Sequence, residues 1–186
     1  LVPVVTSFTV AHSITLLAAA FGMAPQALWF TPLIETLIAL SIVYMAFENI
    51  VGANLRRRWL ITFAFGLVHG FGFSFVLSEQ LQFAGGHLVT SLLAFNVGVE
   101  IGQLLVLAAV IPVLHLLFRY GIAERMGTIL LSALVAHEAW HWTTQRGSDF
   151  LQYEIALPAL NAAFLAQAMR WLMLLLFAGG LLWIMY

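Results

Sequence analysis

Seven polar side chains interrupt long apolar stretches of this chain: His12, Glu48, His69, Glu100, and His137 and His141 with Glu138 between them. A charged group held at the middle of a lipid bilayer costs on the order of 3 kcal/mol even on lenient scales, so several together ask for a compensating task. Neutral imidazoles are ligands for nickel, cobalt or zinc, a carboxylate supplies charge, and amide oxygens complete a borderline site. The default chemistry is therefore an ion or proton site inside a membrane.

Local spacing says which of these groups can act together. Asn96, Glu100 and Gln103 stand at i, i+4 and i+7, so one helical face carries three oxygen-bearing side chains, while Gly98 and Gly102 form a small-residue strip on another face for close packing. The plain alternative for Asn96 and Gln103 is hydrogen-bonding glue between helices. His69 stands among Gly66, Gly70 and Gly72, a run that either admits a neighbouring backbone or loosens the helix, as in the broken helices of transporters. Thr9 and Thr15 flank His12 at three residues on either side, with Ser13 next to it, although such hydroxyls often bond back to their own helix.

The string His137-Glu138-Ala139-Trp140-His141 satisfies H-E-x-x-H. Histidines at i and i+4 share a face and can chelate a divalent ion, leaving Glu138 as a general base, which is the arrangement of a zinc hydrolase. That alternative needs a third ligand, for which Glu100 or His69 is available. Met169 and Met173 also stand at i, i+4, but methionines in membrane helices mostly pack.

The elements that must position these residues are helical and embedded in a membrane. The 186 residues are 63% hydrophobic and 8% charged, with 15 Phe, 6 Trp and no Cys, and a mean hydropathy of +1.02. Without cysteine there is no disulfide framework and no thiolate site. A net charge of −1, with seven arginines scattered over short loops and forming no basic groove, gives no sign of nucleic-acid binding. Against the roughly 20 apolar residues that a span requires, six candidates emerge: 3–21, 32–52, 59–79, 88–117, 127–145 and 168–186. The expected fold is all-α, a polytopic transmembrane bundle in one domain over residues 1–186, with about seven spans if one more precedes Leu1. Pro112 is placed to kink the fourth span, and residues 146–167 are expected to form a loop, lying in the interface or dipping part-way in.

Arginine bias sets the orientation. Arg56, Arg57, Arg58, Arg119 and Arg125 flank one side, against Arg146 and Arg170 on the other, so the first side and the Leu1 and Tyr186 ends are expected in the cytoplasm, in a bacterial inner membrane. Counting along the spans puts His12, His69, Glu100 and His137 at one level, Glu48 nearer the cytoplasm and Glu35 nearer the outside, with His87 and His115 at span ends.

Four segments, FTVAHSITL, IETLIALSIVYMAFEN, FGLVHGFGF and LLAFNVGVEIGQL, resemble in content and order the signature segments of the HupE/UreJ membrane proteins and cover roughly residues 8–105. The F-x-x-A-H-S core at Phe8 to Ser13 is also similar to a motif of nickel/cobalt transporters. The resemblance implies a nickel or cobalt permease tied to hydrogenase or urease maturation, and places His12, Glu35, Glu48, His69, Asn96, Glu100 and Gln103 on motif positions. The family's upstream helix, with its histidine and Asp-His signature, would precede Leu1.

The expected function is therefore passage of a divalent cation past metal-contacting His12, His69, Asn96, Glu100, Gln103, His137 and His141, with Glu48 as the cytoplasmic step. Nickel or cobalt would be the substrate, and zinc the resident ion under the hydrolase alternative. The expected partners are the ion and the lipid bilayer, and a homo-oligomer is compatible with the composition. A third reading is a membrane scaffold whose buried polar groups only pair helices.

Overall fold

The computed structural model describes residues 2–25, 27–52, 57–81 and 88–153, together with Met169 and Met173. Five α-helices follow one another: α1 (Val2–Ala20), α2 (Phe30–Val51), α3 (Arg58–Leu81), α4 (Leu88–Tyr120) and α5 (Glu124–Leu151). The chain divides after Tyr153, and these helices belong to the first unit. Apolar runs make α1 to α4, and Gly22, Gly52 and Gly121 follow the last turns of α1, α2 and α4. At the end of α1, Gly22 takes φ +75°, where its amide reaches the Ala19 carbonyl at 2.9 Å and the Met23 amide reaches that of Ala18 at 3.0 Å. This double bond closes the helix on a left-handed residue that glycine tolerates.

Contacts along the seams give the directions. α1 and α3 run parallel: Ser7 meets Thr62 at 3.1 Å, and Gly66 and then Gly70 abut Phe8, Ala11, His12 and Thr15 in turn. α2 runs antiparallel to α3 and α5. Its C-terminal carbonyls at Ile50 and Asn49 accept from the Arg125 guanidinium at 2.6 and 3.4 Å, which satisfies groups the helix end leaves open. At the other end of the α2–α5 pair, Arg146 lies 3.3 Å from Glu35. Packing is most extensive between α1 and α3 and between α2 and α5, α2 joins the two pairs, and α4 touches α1 and α5 lightly.

Several expectations need correction. Among the described residues there are five helices rather than six spans, and α1, α2 and α4 are long and apolar enough to cross a membrane. α5 spreads five charged residues and two histidines over its length, which lowers its apolarity, and the expected span 168–186 lies outside the described residues apart from Met169 and Met173. α5 continues through Arg146 to Leu151, so the loop expected from residue 146 begins later. The charge run is held in a helix because Glu35 pairs with Arg146 and Thr36 lies against Gly147. α4 holds Pro112 within a helix that runs on to Tyr120, three residues past the expected limit. α3 is likewise continuous through its glycines, which serve close approach rather than loosening.

Candidate functional site

The tight α1–α3 seam builds the site. A Cβ at Gly66 would lie 2.6 Å from the Phe8 carbonyl oxygen, and one at Gly70 would collide with Thr15 Oγ1 and the His12 carbonyl. Backbone therefore meets backbone, as small-xxx-small helix pairs allow. The approach seals His12, which is only 1% exposed, and neither of its ring nitrogens has a hydrogen-bond partner. Aromatic rings surround it instead. Phe8 stacks at a centroid distance of 6.0 Å and Phe73 meets it edge-on at 5.1 Å.

Phe8 also meets His69 edge-on at 5.3 Å, so one phenyl ring touches both imidazoles. His69 has a polar partner that His12 lacks: its Nε2 is 3.0 Å from Ser41 Oγ. The Ser41 hydroxyl itself donates to the Ile38 carbonyl at 2.6 Å. A hydroxyl has one proton to give, so His69 Nε2–H is the donor in this pair and the lone pair lies on Nδ1. The tautomer of His69 thus follows from the hydrogen bonds of α2.

α4 contributes at the edge. Ser13 Oγ contacts Asn96 Oδ1 at 3.2 Å while also reaching the Thr9 carbonyl at 2.8 Å. Gln103 Oε1 is buried without a hydrogen-bond partner. It borders a cavity of about 420 Å³ between α1, α3 and α4, whose wall includes Val4, Phe8, Thr62, Gly102 and Val106. Phe8 thereby separates this cavity from the imidazole pair. Thr9 and Thr15 bond back to carbonyls of their own helix, as the plain reading of those hydroxyls expects.

The remaining candidates are placed elsewhere. Glu100 is exposed on α4, and His137, Glu138 and His141 are exposed on α5. Glu48 is half-buried with Oε2 3.5 Å from Arg58 Nε, an ion pair whose geometry falls short of a hydrogen bond. Glu35 is paired with Arg146, His115 is exposed, and His87 lies outside the described residues. Among the described residues no three His, Asp or Glu side chains converge as a metal cluster, and nothing there supplies the third ligand that the hydrolase alternative requires. The strip of Gly98 and Gly102 has no described atom within 4 Å of an added Cβ, so the close packing expected there is found on α3.

Ser41 and the phenyl rings were not foreseen as part of the site. Ser41 had a faint signal, a lone hydroxyl in the apolar middle of the second span. Phe8 and Phe73 had only their places four residues from a histidine.

A family profile described as HupE / UreJ protein matches residues 1–146, covering all five helices to near the end of α5. A search of the curated proteins and of the solved structures finds no match. Apolar helices long enough to cross a bilayer, together with that match, make this a membrane protein. With 146 of 186 residues matched, the chain belongs to the HupE/UreJ family.

Proposed function

We propose that the protein passes a divalent transition cation, nickel or cobalt as the family suggests, along a path on α1, α3 and α4. The observation that carries this reading is His12: a buried imidazole with no hydrogen bond at either nitrogen. Leaving a buried polar group unsatisfied costs about 1–3 kcal/mol, which makes little sense for a scaffold but suits a ligand kept free for an ion. Gln103 Oε1 on α4, also buried without a hydrogen-bond partner, borders the neighbouring cavity and would serve the same ion one step away.

In this reading His12 and His69 receive the cation, Asn96 supplies a neutral oxygen, and Glu100 brings charge when α4 shifts. Phe8 separates the imidazoles from the cavity. Glu48, beside Arg58 at the arginine-rich end, is the last step. That end faces the cytoplasm of a bacterium by the positive-inside rule, with the protein in the inner membrane. Ligands divided among helices give the modest affinity that release demands.

Liposomes carrying the protein and a trapped metal indicator test this. Nickel or cobalt should enter down its gradient while magnesium does not, and His12→Ala or Glu100→Gln should slow entry at least about tenfold. Liposomes no more permeable to nickel or cobalt than empty ones would overturn the proposal.

A further inference from the structure

We infer that His137 and His141 form a second cation site, a two-imidazole clamp on the outward face of α5, separate from the His12 centre. The two rings lie one helical turn apart with centroids 4.6 Å from each other and planes at 88°. Both residues are exposed, whereas Ala139 between them is 3% exposed. Since α5 packs chiefly on α2, the buried Ala139 marks the side turned toward the bundle and the histidines stand on the other. Neither ring has a hydrogen bond to any described residue, so both keep a nitrogen lone pair for a ligand.

Histidines at i and i+4 present both imidazoles to one ion, and neutral imidazole selects nickel, cobalt, copper or zinc over calcium or magnesium. Because no third His, Asp or Glu joins them among the described residues, water would fill the remaining positions. Such a site exchanges its ion readily, unlike a closed four-ligand structural site. Its position also suits capture. His141 lies five residues before Arg146, about 7.5 Å along the helix, toward the end carrying the Glu35–Arg146 pair and away from Arg58 and Arg125. Trp140 and Trp142, both exposed, flank the second histidine as residues of a membrane–water interface do. His137 stands one turn deeper, nine residues before Arg146 and about 13.5 Å from it along the helix, so the clamp opens toward that end through His141.

The two tryptophans supply a readout that needs no transport, so this site can fail while the proposed transport function survives, and the reverse. The full chain in detergent is titrated with Ni²⁺ or Cu²⁺, whose unpaired electrons quench nearby indole fluorescence. A saturable quench is expected, its midpoint rising at least about tenfold in His137→Ala/His141→Ala and staying unchanged in His12→Ala. Substituting Trp140→Phe/Trp142→Phe should remove most of the signal. The exposed double variant is expected to keep its thermal midpoint. The variant His137→Ala/Gln145→His, which moves the i, i+4 pair one turn along, should restore binding. A quench that survives the double variant, or that the one-turn shift fails to restore, overturns the site.

Discussion

Gly66 and Gly70 of α3 and Gly98 and Gly102 of α4 share a four-residue spacing, yet they meet opposite surroundings. The first pair is filled by the α1 backbone at Phe8 and His12, and the second has no described atom within contact of an added Cβ. Small residues permit close approach but do not cause it; a complementary face does. α1 offers one, with Ala11 and Thr15 buried at the seam, whereas α4 leaves Val97, Ile101 and Leu105 exposed. The polar groups divide the same way. On the seam His12 is sealed and His69 is oriented through Ser41, while Glu100 on α4 is exposed. A tightly packed pair that holds the imidazoles beside a lightly held helix that carries the carboxylate is the division that the proposed stepwise release of an ion would use.

The comparison breaks most visibly at the glycines. Gly70→Leu is expected to cost about 3 kcal/mol or more, because its side chain has only backbone and Thr15 to push against. Gly98→Leu should stay within about 0.5 kcal/mol. Thermal unfolding with size-exclusion chromatography separates the two, and equal losses would mean that the seam is no tighter than α4.

A smaller contrast lies in the hydroxyls. Ser41→Ala removes the acceptor of His69 Nε2–H and should destabilise by about 1–3 kcal/mol. Ser13→Ala, which loses the contact with Asn96 although the Ser13 hydroxyl divides it with the Thr9 carbonyl, should cost less than about 1 kcal/mol. Smallest of all, Arg125→Ala frees the Asn49 and Ile50 carbonyls at an exposed end of α2 and should cost about 0.5 kcal/mol. Thermal midpoints ranked in any other order would misplace the rigid part of the molecule.

Much of this was legible in the chain. Apolar runs bounded by glycine and arginine located α1 to α4 to within a few residues, because helix length in a bilayer is set by a simple ruler. The end of α5 was not legible, since Arg146 and Asp149 read as a loop until Glu35 is seen beside them. The single polar layer was legible in part. His12 and His69 meet at the α1–α3 seam with Asn96 at its edge, but the faces of α4 and α5 are set by tertiary partners, and those turn Glu100, His137 and His141 outward. The three glycines around His69 were ambiguous for the same reason. Their composition fits a broken helix and a packed one alike, and only the matching face of α1 decides.

The central claim is that His12 is kept unpartnered for an ion. An apolar residue of similar size there should leave stability unchanged or raise it, since no hydrogen bond is lost and two unsatisfied nitrogens are removed. The most direct measurement is nickel or cobalt flux through liposomes carrying His12→Leu, alongside the thermal midpoint of the same preparation. An unfolding temperature at or above that of the parent is expected, with a flux at least about tenfold lower. Parental flux in a stably folded His12→Leu protein would contradict it.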